Sequence, residues 1–143
     1  MSYQITKENV WAGEVADRPG ELANKLESFG NAGVDLGFMI ARRAPGKPGS
    51  TVVFLSSLNG PDAEHAVEQQ GFRKWTTATS LRIEGRDRPG LGVQIARTVG
   101  NAGVNMRGIS AARLNGQVAF HVALDSGADA DKAKLALNKS LNG

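Results

Sequence analysis

Cysteine is absent from the 143 residues, which excludes disulfides, thiolate nucleophiles and cysteine-ligated metals. Histidine occurs only twice, as His65, which reads as a solvated helix residue among Asp62, Glu64 and Glu68, and as His121 in a strand beside Phe120 and Val122, so no zinc site is expected. Apolar runs are short. None approaches the roughly 20 residues of a membrane helix, and the first residues lack the apolar stretch of a secretory signal. The expectation is a cytoplasmic protein with no membrane partner. Net charge is scarce as well: 17 Lys and Arg against 14 Asp and Glu leave +3. The pI of about 9.5 arises without any dense basic run, so nucleic acid is not an expected partner. No Ser/His/Asp grouping, paired carboxylates or phosphate-cradling glycine loop stands out, which points away from an enzyme and from any cofactor. Gly85-Arg86-Asp87-Arg88-Pro89-Gly90, for instance, lacks the Gly-x-Gly-x-x-Gly spacing of a dinucleotide loop.

What the chain does contain is a repeat. Asp17-Arg18-Pro19-Gly20 returns as Asp87-Arg88-Pro89-Gly90, and Gly30-Asn31-Ala32-Gly33-Val34 as Gly100-Asn101-Ala102-Gly103-Val104. Both blocks hold a single offset of 70. Between Trp11/Leu81 and Arg43/Arg113 the identities also include Glu14, Ala41 and Arg43 with their partners, 12 of 33 pairs. One unit is written twice, at residues 1–71 and 72–143. About 70 residues bury a core only marginally, so the copies are expected to pack on each other.

Within the first copy, Val10–Ala16 has strand length and partial alternation. Pro19 suits the first position of a helix, whose apolar face is Leu22, Leu26 and Phe29. Gly33 is placed to end it in the left-handed region. Leu91, Ile95, Val99 and Gly103 repeat the pattern. A second strand follows from Val34 to Ile40, then a turn, a third strand from Thr51 to Leu58, and a helix from Pro61 to Gln70. In the second copy Asn115-Gly116 is the preferred pair for a two-residue hairpin. Aligning Phe54 with Phe120 and Leu58 with Leu124 gives the first copy a four-residue insertion at the tip. The last helix runs from Asp129 to about Leu141.

The order strand–helix–strand–strand–helix lacks one strand of a ferredoxin-like βαββαβ unit, an α+β fold with an antiparallel four-stranded sheet and helices on one face. Phe72–Thr77 can supply that strand to the first copy, but the chain has no such piece after its last helix. Since Tyr3–Thr6 aligns with Arg73–Thr76, the N-terminal strand is expected to close the second copy's sheet. The alternative is a frayed tail beside a three-stranded sheet.

The strand-to-helix turn is the candidate site. A helix starting at Pro19 directs the amides of Gly20, Glu21 and Leu22, and in the second copy Gly90, Leu91 and Gly92, toward the strand end with the positive end of the helix dipole behind them. Such amides accept carboxylates. Glycine allows close approach, so a larger residue at Gly90 is expected to block a ligand with little effect on the fold. Asp17 and Asp87 can hold an ammonium group; Asp35 and Asn105, opening the second strands, can add polar contacts. An anion acceptor beside a carboxylate suits a zwitterionic amino acid. The competing reading is a tight turn with an acidic residue near a helix start.

On these residues, Asp-Arg-Pro-Gly ending a strand and Asn-Ala-Gly-Val ending a helix, the chain resembles tandem ACT-domain proteins along nearly its whole length. The resemblance implies side-by-side association through the sheets and an amino acid bound at the interface by Asp17, Gly20 and Asp35 or by Asp87, Gly90 and Asn105. In serine-sensing members a histidine stands two residues before the Asp; here Val15 and Gly85 do, so serine is not the ligand implied. The function expected is a non-catalytic sensor of a small amino acid, a homodimer acting on an unidentified effector protein. The alternative is a structural or protein-interaction module without a small ligand.

Overall fold

The computed structural model describes residues 2–143. Its elements run β1 (Gln4–Glu8), β2 (Val10–Ala16), α1 (Glu21–Asn31), β3 (Leu36–Arg43), β4 (Ser50–Leu58), α2 (Pro61–Gln69), β5 (Arg73–Lys74), β6 (Thr79–Arg86), α3 (Leu91–Asn101), β7 (Met106–Leu114), β8 (Gln117–Leu124) and α4 (Gly127–Asn142). Two antiparallel four-stranded sheets result, ordered β3-β4-β2-β5 and β7-β8-β6-β1. The N-terminal strand does enter the second sheet, with Ile5 opposite Ile83 and Lys7 opposite Leu81. The chain therefore divides into Asn9–Trp75 and a unit made of Thr76–Gly143 with the N-terminal stretch through Glu8.

In the Asn9–Trp75 unit, Trp11, Val15, Phe29, Val53, Leu55, Val67 and Phe72 form the core. The Phe72 ring lies edge-on to Phe29 at 5.3 Å and sits over Gly13, where a Cβ would come within 2.8 Å of it. That glycine is required by packing. The closing strand is shorter than the sequence pattern predicts: only Arg73 and Lys74 pair with β2, opposite Ala12 and Trp11. The other unit is better filled. Leu81, Ile83, Leu91, Ile95, Val122, Leu124 and Leu137 are buried together, and Tyr3 and Ile5 pack against them. Its last helix starts two residues before the predicted Asp129, because Ser126 caps it by accepting from the Asp129 amide at 3.1 Å.

The repeated Gly-Asn-Ala-Gly-Val block has a backbone explanation. Gly33 and Gly103 sit at φ 74° and 78°. Their amides donate to Gly30 and Gly100, while Val34 and Val104 donate to Phe29 and Val99. This is the Schellman ending, in which a glycine satisfies the last carbonyls. The Asn115-Gly116 turn has positive φ at both residues, as a type I′ hairpin needs.

The insertion is divided, contrary to the alignment at the tip. Trp11 pairs with Leu55 and Leu81 with Val122, so Leu55 matches Val122 and Val53 matches Phe120. Three extra residues thus lie at the first hairpin, and Phe54 is turned to the other face beside Trp75, 4.9 Å away. The fourth is Ser57, at φ 55°, after which Leu58 matches Leu124.

Candidate ligand-binding turns

Each repeated Asp-Arg-Pro-Gly forms a turn rather than a helical start. The Asp17 amide donates to Gly49 at 3.0 Å and the Asp87 amide to Gly116 at 2.9 Å, fastening each turn to its hairpin. Glu21 and Leu91 then donate back to Arg18 and Arg88, closing four-residue turns. Gly20 and Gly90, at φ 85° with ψ −13° and −4°, hold the third position of a type II turn, and proline supplies the second. Pro19 and Pro89 therefore precede the helices, which begin at Glu21 and Leu91. The expectation that a larger residue at Gly90 has little effect on the fold is corrected. A Cβ at either position meets nothing within 4 Å, so the constraint is the positive φ.

Among the described residues no side chain caps α1 or α3. The amides of Leu22 and Ala23, and of Gly92 and Val93, are thus the open donors of the first turns. Asp17 accepts from Arg43 Nε at 2.7 Å, and Asp87 pairs with Arg113 Nη1 at 3.5 Å. These arginines belong to the repeated identities, so the sequence held the signal for the pair but not its role. Each turn combines an arginine-held carboxylate with uncapped amides.

Asp35 and Asn105 are exposed beyond the opposite helix ends. The Asp35 amide donates to Asn59 Oδ1 at 2.7 Å. An 11-residue helix separates Asp35 from Asp17, about 16 Å of rise, so one repeat does not bring the two together.

A groove of about 310 Å³ opens beside the first turn, lined by Glu14, Val15 and Ala16 of β2 and Glu21, Asn24, Lys25 and Ser28 of α1. Glu21, its one residue among the sequence candidates, pairs with Arg18 at 3.2 Å; Glu14 pairs with Lys47 at 2.6 Å. The rest of this lining was missed. Its sequence signal is the charge of Glu21 and Lys25 where the second copy has Leu91 and Ile95.

Among the described residues no group of three His, Cys, Asp or Glu is arranged to hold a metal, and no helix is long and apolar enough to cross a membrane. His121 is a buried sheet residue, its Nδ1 3.0 Å from Glu8 Oε1; His65 is exposed.

No family model matches the chain, and no curated protein matches it in sequence. Solved structures do. The ligand-free regulatory subunit of aspartate kinase from Thermus thermophilus is 15% identical with a TM-score of 0.68, covering 98% of this chain and 97% of that one. A structure of aspartokinase alpha and beta subunits is 17% identical with a TM-score of 0.67, covering 100% and 99%. Aspartokinase III of E. coli, solved with aspartate and ADP, is 12% identical with a TM-score of 0.62, covering 99% of this chain and 33% of that one. Sheet order, closing strands and full-length match together show that the chain has the tandem ACT-type fold of aspartate kinase regulatory domains.

Proposed function

We propose that this chain is a non-catalytic regulatory sensor that binds a small amino acid between ACT modules. The observation that carries the reading is the double occurrence of one site geometry. Asp17 with Arg43 and Asp87 with Arg113 each stand beside an uncapped helix start. The open amides take the ligand carboxylate, and the aspartate, held in place by its arginine, takes the ammonium group. Asp35 and Asn105 lie at the far helix ends, so a site using both elements draws the turn from one module and the strand opening from another. A homodimer in the cytoplasm supplies such module pairs, and a separate effector protein reads the bound state. The regulatory subunits matched along their whole length support the regulatory role.

A thermal-shift screen against the twenty amino acids tests the reading. A ligand at 100 times its Kd adds about 2.7 kcal/mol, worth roughly 5–10 °C for a chain of this size. A screen in which no amino acid raises Tm would defeat it. The interaction-module reading draws on β7, an edge strand with Ile109 47% and Leu114 75% exposed. It gains if the screen is silent.

A further inference from the structure

The groove of the first repeat has a filled counterpart in the second. At the offset of 70, its lining Glu14, Val15, Ala16, Glu21, Asn24, Lys25 and Ser28 corresponds to Glu84, Gly85, Arg86, Leu91, Gln94, Ile95 and Thr98. There β1 runs along the strand edge with Gln4 opposite Glu84. The Tyr3 ring covers Gly85, and its hydroxyl donates to the Arg86 carbonyl at 2.8 Å. Gln94 and Thr98 hydrogen-bond Ser140, while Asn142 holds both the amide and the carbonyl of Tyr3. Leu91 and Ile95 are buried beneath.

None of this filling exists in the first repeat. Its closing strand pairs only with Trp11 and Ala12 before Phe72 enters the core and Gly71 turns the chain at φ 90°. Helix α2 has 9 residues where α4 has 16, too short to reach across. The β2 edge from Glu14 to Ala16 is consequently left without a strand on this side. The Trp75 amide donates to the Val10 carbonyl on the same side at 2.7 Å, so alternation turns the Glu14 and Ala16 amides toward the groove.

We propose that this edge captures the free C-terminus of a partner polypeptide by strand addition. The second repeat shows the mode: an extended segment, antiparallel, laid on the same positions. The first repeat modifies it in two ways. A Cβ on Gly85 would lie 2.4 Å from the Tyr3 ring, and Val15 carries that Cβ, so the residue opposite Val15 must be small. An added strand also cannot continue toward Gly13, because Phe72 occupies that place. It must end there. Lys25 Nζ stands at this end, donating to the Gln70 carbonyl at 3.2 Å, with no carboxylate partner among the described residues. Glu14 and Glu21 are already paired with Lys47 and Arg18. The unpaired charge facing the occupant's last residue is therefore positive, and it fits a terminal carboxylate. The partner's penultimate residue is Gly, Ala or Ser.

The probe is a pool of fluorescent heptapeptides with free C-termini and a penultimate Gly, Ala or Ser, panned on the full chain. The best binder is then remade as its C-terminal amide. Expected results are saturable binding, a loss of about tenfold or more on amidation, and a similar loss in Lys25→Glu. Ala16→Pro, which removes one edge amide, should weaken binding while circular dichroism stays native. Should Ala16→Pro fail to fold, the Lys25→Glu and amide comparisons still decide. Equal affinity for acid and amide overturns the proposal, as does no binding at about 1 mM peptide. Full displacement by a free amino acid would make the groove a small-molecule site, and self-association lost in Ala16→Pro would make it an interface between copies; either also overturns it. Asp17 and Asp87 themselves are unchanged in every variant of this test.

Discussion

Substituting Gly90 separates backbone strain from ligand approach. At φ 85° an L side chain costs roughly 1–2 kcal/mol, and the space around the position adds nothing, because an added Cβ meets no atom within 4 Å. Alanine also restricts the unfolded chain, which returns about 0.4–1 kcal/mol where the native φ suits it; here it does not. Gly90→Ala should therefore cost about 1 kcal/mol, Gly90→Val about 2 kcal/mol or more, and Gly90→Asn less than either, since asparagine tolerates the left-handed region. Urea unfolding read by circular dichroism measures the series. The order Asn, Ala, Val in rising cost is the signature of φ strain. If Gly90→Val were as stable as the natural chain, the turn would not depend on positive φ and the assignment would fail. A valine variant that loses amino-acid binding is then ambiguous. Gly90→Asn gives the cleaner binding test, keeping the turn while adding a side chain at the approach.

Tyr3→Ala removes the ring from Gly85 and the bond to Arg86; hydrogen exchange should show faster opening of β1 and β6 with α1 and β2 unaffected, and protection unchanged in β6 would contradict the strand's closing role. Ser126→Ala should cost about 1 kcal/mol by removing the cap of α4, measured by the same urea titration. Light scattering at micromolar concentration should give twice the 15.1 kDa chain mass, and a monomer would remove the second chain from the proposed site.

The architecture was legible because it depends on short-range chemistry. Asn115-Gly116, the Gly33 and Gly103 helix ends and the period of Leu91, Ile95 and Val99 each act within a few residues. The closing of the second sheet by β1 was legible only because the repeat supplied a ruler. Three features escaped. Ser57 shifts the register of β4 through one positive φ, which composition does not announce. Pro19 satisfies a helix start and a type II turn equally well, and the φ of 85° at Gly20 decides it. The groove depends on what is missing, a two-residue β5 and a short α2, so it emerges only when the two repeats are compared in space. At the candidate site, the repeated Asp is visible in the sequence, while its pairing with an arginine needed the hairpin to bring residues 26 apart together.

Titration calorimetry of the natural chain and of Asp87→Ala, with the amino acid that most raises Tm, tests whether these turns hold an amino acid. Asp87 pairs with an arginine that is 71% exposed, so its loss should change stability by less than about 1 kcal/mol and leave binding readable. The natural chain should give saturable heat, and the variant should bind more weakly by about 1.5–3 kcal/mol through loss of the ammonium partner. Undiminished affinity in both Asp87→Ala and Asp17→Ala, or no saturable heat with any amino acid, would contradict an amino-acid site at these turns.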